Sequence, residues 1–230
     1  MGVDGQNQGI YSTPKLNTAH KELPNIITKD IQKLGYEGIF KHLESFGFFP
    51  QKNYLYWATP FTNYTVENYT YKKALQNASI ENRKYNIASN YTLPDASYLV
   101  EPTPNVWLLA IDANVYIPKD TINGKTLNPT NYQGASIGYN NVLTHKKHLI
   151  KWVKEVAEEA NRLNKTLIAF SHYPMIDFND DASKSLKSFF EGPKWQLKRI
   201  PKETVAQLFS NAGITIHVAG HMHINDTGYR

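Results

Sequence analysis

Three short apolar runs, each ending on a residue able to hold a ligand, constrain the fold of this chain more than any other feature. They are VWLLAID (106–112), TLIAFSH (166–172) and ITIHVAGH (214–221). Each has strand length and is apolar at successive positions, as a strand covered on both faces must be. A helical pattern separates the first two. Thr144 is placed to cap it, Leu149, Val153, Val156, Ala160 and Leu163 form its stripe, and Asn164 is its stop. A second helical pattern, from about Lys202 to Asn211, turns Val205, Leu208 and Phe209 inward. Strand, helix, strand, helix, strand is the α/β arrangement. In such sheets ligands collect at the carboxyl ends of the strands, and Asp112, His172 and His221 all fall there.

Residues 1 to about 100 read differently, with many Asn, Tyr and Thr and irregular periodicity. Thr28 is placed to cap a helix with Ile31 and Leu34 on its inner side. A second helical pattern carries Ile39, Phe40, Leu43 and Phe46 and ends at Pro50. The stretch from Tyr54 to Leu75 mixes aromatics with turn formers and is expected to be a strand-and-loop insertion outside the core. The chain is therefore divided into an irregular part, 1–100, and an α/β part, 101–230, of one domain.

Composition excludes some functions. With no cysteine there is neither a disulfide nor a thiolate metal site. Any metal must be held by histidine, carboxylate, amide or water. No apolar run approaches the roughly 18 residues of a membrane span, and the opening MGVDGQN has no signal-peptide pattern. The net charge of +5 would favour an anionic partner. The lysines are scattered and no arginine-rich run appears, so nucleic acid is not expected.

Of the eight histidines, His172, His221 and His223 are singled out by position. His221 and His223 flank Met222 just past a strand, and Gly220 is placed to allow a tight turn. Residues two apart in extended chain project to one side, so both rings can face one cavity. Pro174 stiffens the chain after His172. His217 alternates within the last strand and is expected to be bonded inside the fold. His145 and His148, beside Lys146 and Lys147, are expected on a solvated helix face.

LIAFSHYPM and HVAGHMHINDTG resemble the last two motifs of the calcineurin-like metallophosphoesterases, and WLLAIDANVY resembles the strand preceding them. The resemblance covers about 98 to 230. It implies an α/β fold, a partial calcineurin-like sandwich of α/β/β/α layers lacking its N-terminal strands. It implies hydrolysis of phosphate mono- or diesters, with two divalent ions (Mn, Fe or Zn) and a bridging hydroxide as nucleophile. His172 and His221 would ligate one ion and His223 the other. Asp112, Asp177 and Asn225 are further candidates, for orienting a ligand or touching substrate. The expected partner is a small phosphate ester or a nucleotide.

The family also needs an Asp-x-His motif, a Gly-Asp motif and a Gly-Asn-His-Asp or Gly-Asn-His-Glu motif, and these 230 residues contain none of them. All three precede the matched region in the family. The chain therefore reads as a fragment of a longer enzyme, and its compartment is left open. Without the bridging carboxylate, metal binding and phosphatase activity of the isolated chain are expected to be weak or absent. Strands such as 106–112 are expected to expose apolar faces and invite self-association.

Two other readings compete. GASIG (134–138) matches the nucleophile elbow of serine hydrolases, but no apolar strand leads into Ser136 and no helix follows at once. The aromatic-rich region 54–92 would form a binding module if Tyr54, Trp57, Phe61 and Tyr64 lay exposed on one plane. The carboxylates of DFNDDAS (177–183) lack the glycine and distal glutamate of a calcium loop.

Overall fold

The computed structural model describes residues 8–12, 25–32, 35–129, 131–132, 139–175, 204–221 and 227–228. Strands β1 (Gln8–Ser12) and β2 (Asn25–Gln32) form an antiparallel ribbon that sets Ile10 opposite Ile27 and Tyr11 opposite Ile26. The helix expected after Thr28 is thus a strand. Ile26, Ile27, Thr28 and Ile31 are β-branched, and a paired neighbour favours them in extended chain over a helix with no packed face.

Helix α1 (Tyr36–Leu43) forms where the second periodic pattern was read, but it gives way to a π-type turn (Glu44–Phe48), and Leu43 of the expected stripe is exposed. Tyr36 and Phe40 are its buried residues, whereas Phe46 is 70 % exposed. Gly47, at φ 99°, unwinds the chain there. A β-carbon on Gly47 would stand 2.5 Å from the Tyr98 ring, so the position needs glycine twice over.

Then follow β3 (Tyr56–Ala58), α2 (Tyr71–Asn77), the hairpin of β4 (Lys84–Ala88) and β5 (Tyr91–Pro94), β6 (Tyr98–Thr103) and β7 (Val106–Ala110). A small ribbon of β8 (Thr121–Ile122) and β9 (Lys125–Thr126) precedes α3 (Val142–His145) and α4 (Lys147–Arg162). The last elements are β10 (Thr166–Ser171), α5 (Val205–Ala212) and β11 (His217–Ala219).

The fold is mixed α/β. One five-stranded sheet runs β11-β10-β7-β6-β3, with β7, β10 and β11 parallel and β6 and β3 antiparallel to their neighbours. Both parallel connections step the same way across the sheet, and α4 packs on β10 and α5. Trp107, Leu109, Leu167 and Ala169 are buried with Leu149, Val153 and Val156 of α4. The alternating positions Leu108, Ile168 and Phe170 are only half-buried.

The segment 54–75 is not an outer insertion. Tyr56, Trp57, Ala58, Tyr64 and Ala74 all belong to the main core, because β3 hydrogen-bonds to β6 and carries its rings into the sheet. With Trp57 at 0 % and Tyr64 at 7 % exposure, the exposed aromatic plane needed for a binding module does not form. The expected exposure of 106–112 is met only in part. Trp107, Leu109, Ala110 and Ile111 are buried, Val106 and Leu108 are half-buried, and Ile216 (46 %) and Val218 (58 %) at the sheet edge are exposed.

Thr144 lies inside α3 and does not cap α4; the chain breaks at Lys146, which has no capping side chain. The stop is as read. Asn164 takes φ 52°, with Lys165 N–H donating to Ala160 O (2.7 Å) and Asn164 N–H to Asn161 O (3.1 Å). Thr204 and Gln207 cap α5 reciprocally, and Gly213 at φ 109° ends it. Among the described residues no helix is long and apolar enough to cross a membrane.

Candidate functional site

Because β10 and β11 are parallel neighbours, their carboxyl ends lie together. Ser171 pairs with Ala219, which brings the residues after each strand, His172 and His221, to one spot. Gly220 N–H donates to His172 O at 3.1 Å and holds the two exits side by side. The left-handed turn falls on His221 itself (φ 69°), not on Gly220. A β-carbon at Gly220 would make only ordinary contacts, 3.6 Å to His172 O and 3.7 Å to its Nδ1. The uncommon backbone state at His221 swings its ring toward His172.

The outcome is a pair of facing imidazoles. His172 Nε2 and His221 Nδ1 are 3.2 Å apart, with the rings 5.1 Å between centroids and near perpendicular. The Tyr173 ring packs on both, at 4.8 Å from His172 and 4.5 Å from His221. Two imidazole nitrogens sharing one tetrahedral ion, each at roughly 2.1 Å, would be about 3.4 Å apart. The pair therefore fits a shared divalent ion by distance and by donor type, imidazole nitrogen suiting iron or zinc better than manganese. Among the described residues no group of three or more histidines or carboxylates is placed to hold a metal. His223, Asp177, Asn225 and Ser136 lie outside the described residues.

Behind this pair, Ser171 ties the strand ends together. Its hydroxyl donates to Tyr173 O (2.7 Å), and the Tyr139 hydroxyl donates to it (3.0 Å). Ser171 has one proton, so the His217 Nε2 contact at 2.8 Å is completed by an N–H from the ring. This matches the expected role of His217 inside the fold. Burial pushes the His217 imidazole down to about 4. Its folded value is below the unfolded value of 6.5, so the unfolded chain binds more protons between the two. Stability should therefore fall as pH drops from about 6.5 toward 4, by on the order of 3 kcal/mol. Urea unfolding at neutral pH and at pH 4.5 measures the drop, and His217→Gln should flatten it.

Asp112 follows the carboxyl end of β7, but it turns into the protein. Its carboxylate accepts from the Tyr36 hydroxyl (2.8 Å), Ala96 N–H (3.1 Å), and Asn114 N–H (3.1 Å) and Nδ2 (3.0 Å). The Lys146 ammonium lies 3.2 Å from Asp112 and 3.5 Å from Asp95. None of these partners is a histidine, so Asp112 sits in a buried ion cluster rather than behind a ligand ring. Asp95 also accepts from Ser97 Oγ (2.6 Å) and meets His148 Nε2 at 2.8 Å. Burial pushes the Asp95 carboxyl up, but the Lys146 charge and the bonds from His148 and Ser97 outweigh it and hold the group well below the usual range.

His148 is thus not on a solvated helix face. Its ring packs 5.0 Å from both Phe61 and Tyr85 and is bonded to a buried carboxylate. His145 is half-buried, and burial lowers its pKa. Sequence reasoning missed Asp95, Lys146 and Tyr36. The Asp-x-Ser turn at 95–97 was the one local signal for them, through the carboxylate bonding the backbone two residues on (Ser97 N–H, 3.0 Å).

No family model, curated protein or solved structure matches the chain.

Proposed function

We propose that the chain carries the histidine part of a metal-dependent phosphoesterase centre, a partial calcineurin-like site at the carboxyl ends of β10 and β11. The observation that supports this most is the convergence of His172 Nε2 and His221 Nδ1 to 3.2 Å on adjacent strand exits. In this reading His172 and His221 hold one divalent ion and His223 contributes to a second. Tyr173 orders the two rings, and the Tyr139–Ser171–His217 bonds keep the strand ends in register. When bound, a divalent ion supplies positive charge for phosphoryl oxygens and acidifies water at neutral pH. The substrate is a phosphate mono- or diester.

None of the carboxylate-bearing motifs of the resembled family is in this sequence, so the 230 residues alone should bind metal weakly and hydrolyse esters slowly. Calorimetric titration with manganese and with zinc, beside hydrolysis of bis(p-nitrophenyl) phosphate, tests the reading. His172→Ala and His221→Ala should each weaken metal binding at least tenfold, since either removes one of two shared donors. Unchanged metal binding in both variants would refute the site. Two tightly held ions per wild-type chain would refute the weak-binding expectation.

A further inference from the structure

The sheet has a second feature at its opposite side. Between α4 and the chain from 56 to 67 lies a cavity of about 440 Å³, a size typical of small-molecule sites. We propose that this cavity binds a small organic cation, an alkylated or primary ammonium group on a compact apolar body.

Its inner wall is aromatic. Tyr56 stacks on Trp107 (5.7 Å between centroids, 22° between planes), Tyr64 stands edge-on to Tyr56 at 6.3 Å, and Trp152 of α4 closes the side. Aromatic rings attract cations through their negative faces, most strongly where water is excluded. The outer wall carries three carboxylates, Glu67, Glu155 and Glu159, against one guanidinium, Arg162. Arg162 is already engaged, meeting Glu67 at 2.5 Å and also bonded to Glu159. Lys151 reaches Glu155 from α4 at 3.5 Å. Three negative charges and two positive ones leave the wall one charge short of neutral, which a monocation would complete. Burial, and after it the Glu159 and Glu67 charges, raise the Tyr56 hydroxyl from its ordinary value.

The cavity is independent of the histidine pair. It is built on β3, β6 and β7 and on α4, whereas the histidines leave β10 and β11 at the other edge of the sheet. A neutral guest of the same shape would gain the apolar contacts without the charge, which gives a discriminating probe.

The test is to titrate the full chain with choline and with its uncharged carbon isostere 3,3-dimethylbutan-1-ol, following the methyl resonances by NMR. Choline should bind saturably and the isostere about tenfold more weakly. The double variant Glu155→Gln, Glu159→Gln changes half-exposed side chains, and its melting curve checks that it is folded. It should lose at least tenfold in choline binding, and raised salt should weaken the wild type. Equal binding of the two probes would overturn the proposal by showing an apolar hollow only. So would the absence of choline binding, or choline binding untouched in a folded double variant.

Discussion

Replacing Lys146 with methionine should remove about 3–5 kcal/mol of stability at neutral pH, the range for stripping one partner from a buried ion pair. Lys146 is fully buried, and its ammonium donates to Asp112 O at 2.6 Å while facing the carboxylates of Asp112 and Asp95. Methionine keeps the stem volume, so lost charge and hydrogen bonds account for the effect and a void does not. The pH dependence gives a sharper signature. In the wild type Asp95 is held below its unfolded pKa, so its contribution is present above that value and is lost as pH falls. In Lys146→Met two carboxylates share a dry site, and one takes up a proton on folding. Its folded pKa then lies above the unfolded one, so that contribution is present at low pH and lost as pH rises through the folded value. The deficit of the variant should therefore be smaller near pH 5 than near pH 8. Adding Asp95→Asn and Asp112→Asn should recover much of the loss. Urea midpoints across pH measure all three, and a Lys146→Met protein as stable as wild type at pH 8 would show that the cluster is hydrated.

Trp57→Ala should cost about 3–5 kcal/mol, the range for emptying a large aromatic site in a packed core. Trp57 is fully buried on β3 and pairs with Val100 of β6. Its indole N–H donates to Gly47 O at 2.8 Å, which ties the π-type turn to the sheet. Its ring also lies 4.8 Å from the Arg83 guanidinium, which is buried and flanked by Phe40 and Phe49 at 4.8 and 5.2 Å. Burial already pushes Arg83 down to about 9, so losing one of its three rings removes attraction from a cation that has little water to replace it. Trp57→Phe keeps most of the apolar volume and loses the N–H, and should cost about 1–2 kcal/mol. Guanidinium unfolding of both variants separates the cavity from the hydrogen bond. A Trp57→Ala loss no larger than that of Trp57→Phe would mean that the turn and sheet repack around the hole.

The parallel part of the sheet was legible because VWLLAID and TLIAFSH are apolar at successive positions, one face (Trp107, Leu109, Leu167, Ala169) buried under α4 and the other (Leu108, Ile168, Phe170) half-buried. The α4 stripe was legible for a similar reason, since one buried face imposes a 3.6-residue period. Two other elements were not. The β2 segment places its isoleucines at spacings compatible with either period, and only the partner strand decides. Trp57 and Tyr64 sit among turn formers; Trp57 is buried by antiparallel pairing with Val100, and Tyr64 by its hydroxyl bond to Trp57 O and its contact with Tyr56, which local pattern cannot carry. Lys146 shows the same limit more sharply. On a helix whose neighbours are basic it reads as solvated, and the two aspartates that draw it inward come from β5–β6 and the end of β7. The histidine pair at 172 and 221 was legible from the strand-end rule alone, without knowledge of the turn. That His221 rather than Gly220 would take the left-handed conformation had no counterpart in the sequence.

His221 follows an edge strand of three residues, hydrogen-bonded among the described residues to β10 alone and with Val218 largely exposed. Such an edge is drawn from the low end of local stability, where amide hydrogens exchange through small openings that leave the rest of the fold intact. Each opening separates His221 from His172. If both rings grip an ion as proposed, it stitches the edge to its neighbour, and occupancy of the site and closure of the strand become one equilibrium. The apparent affinity is then the intrinsic one scaled by the fraction of molecules with the edge closed. Substitutions that anchor β11 far from either histidine will tighten binding without touching the ligand.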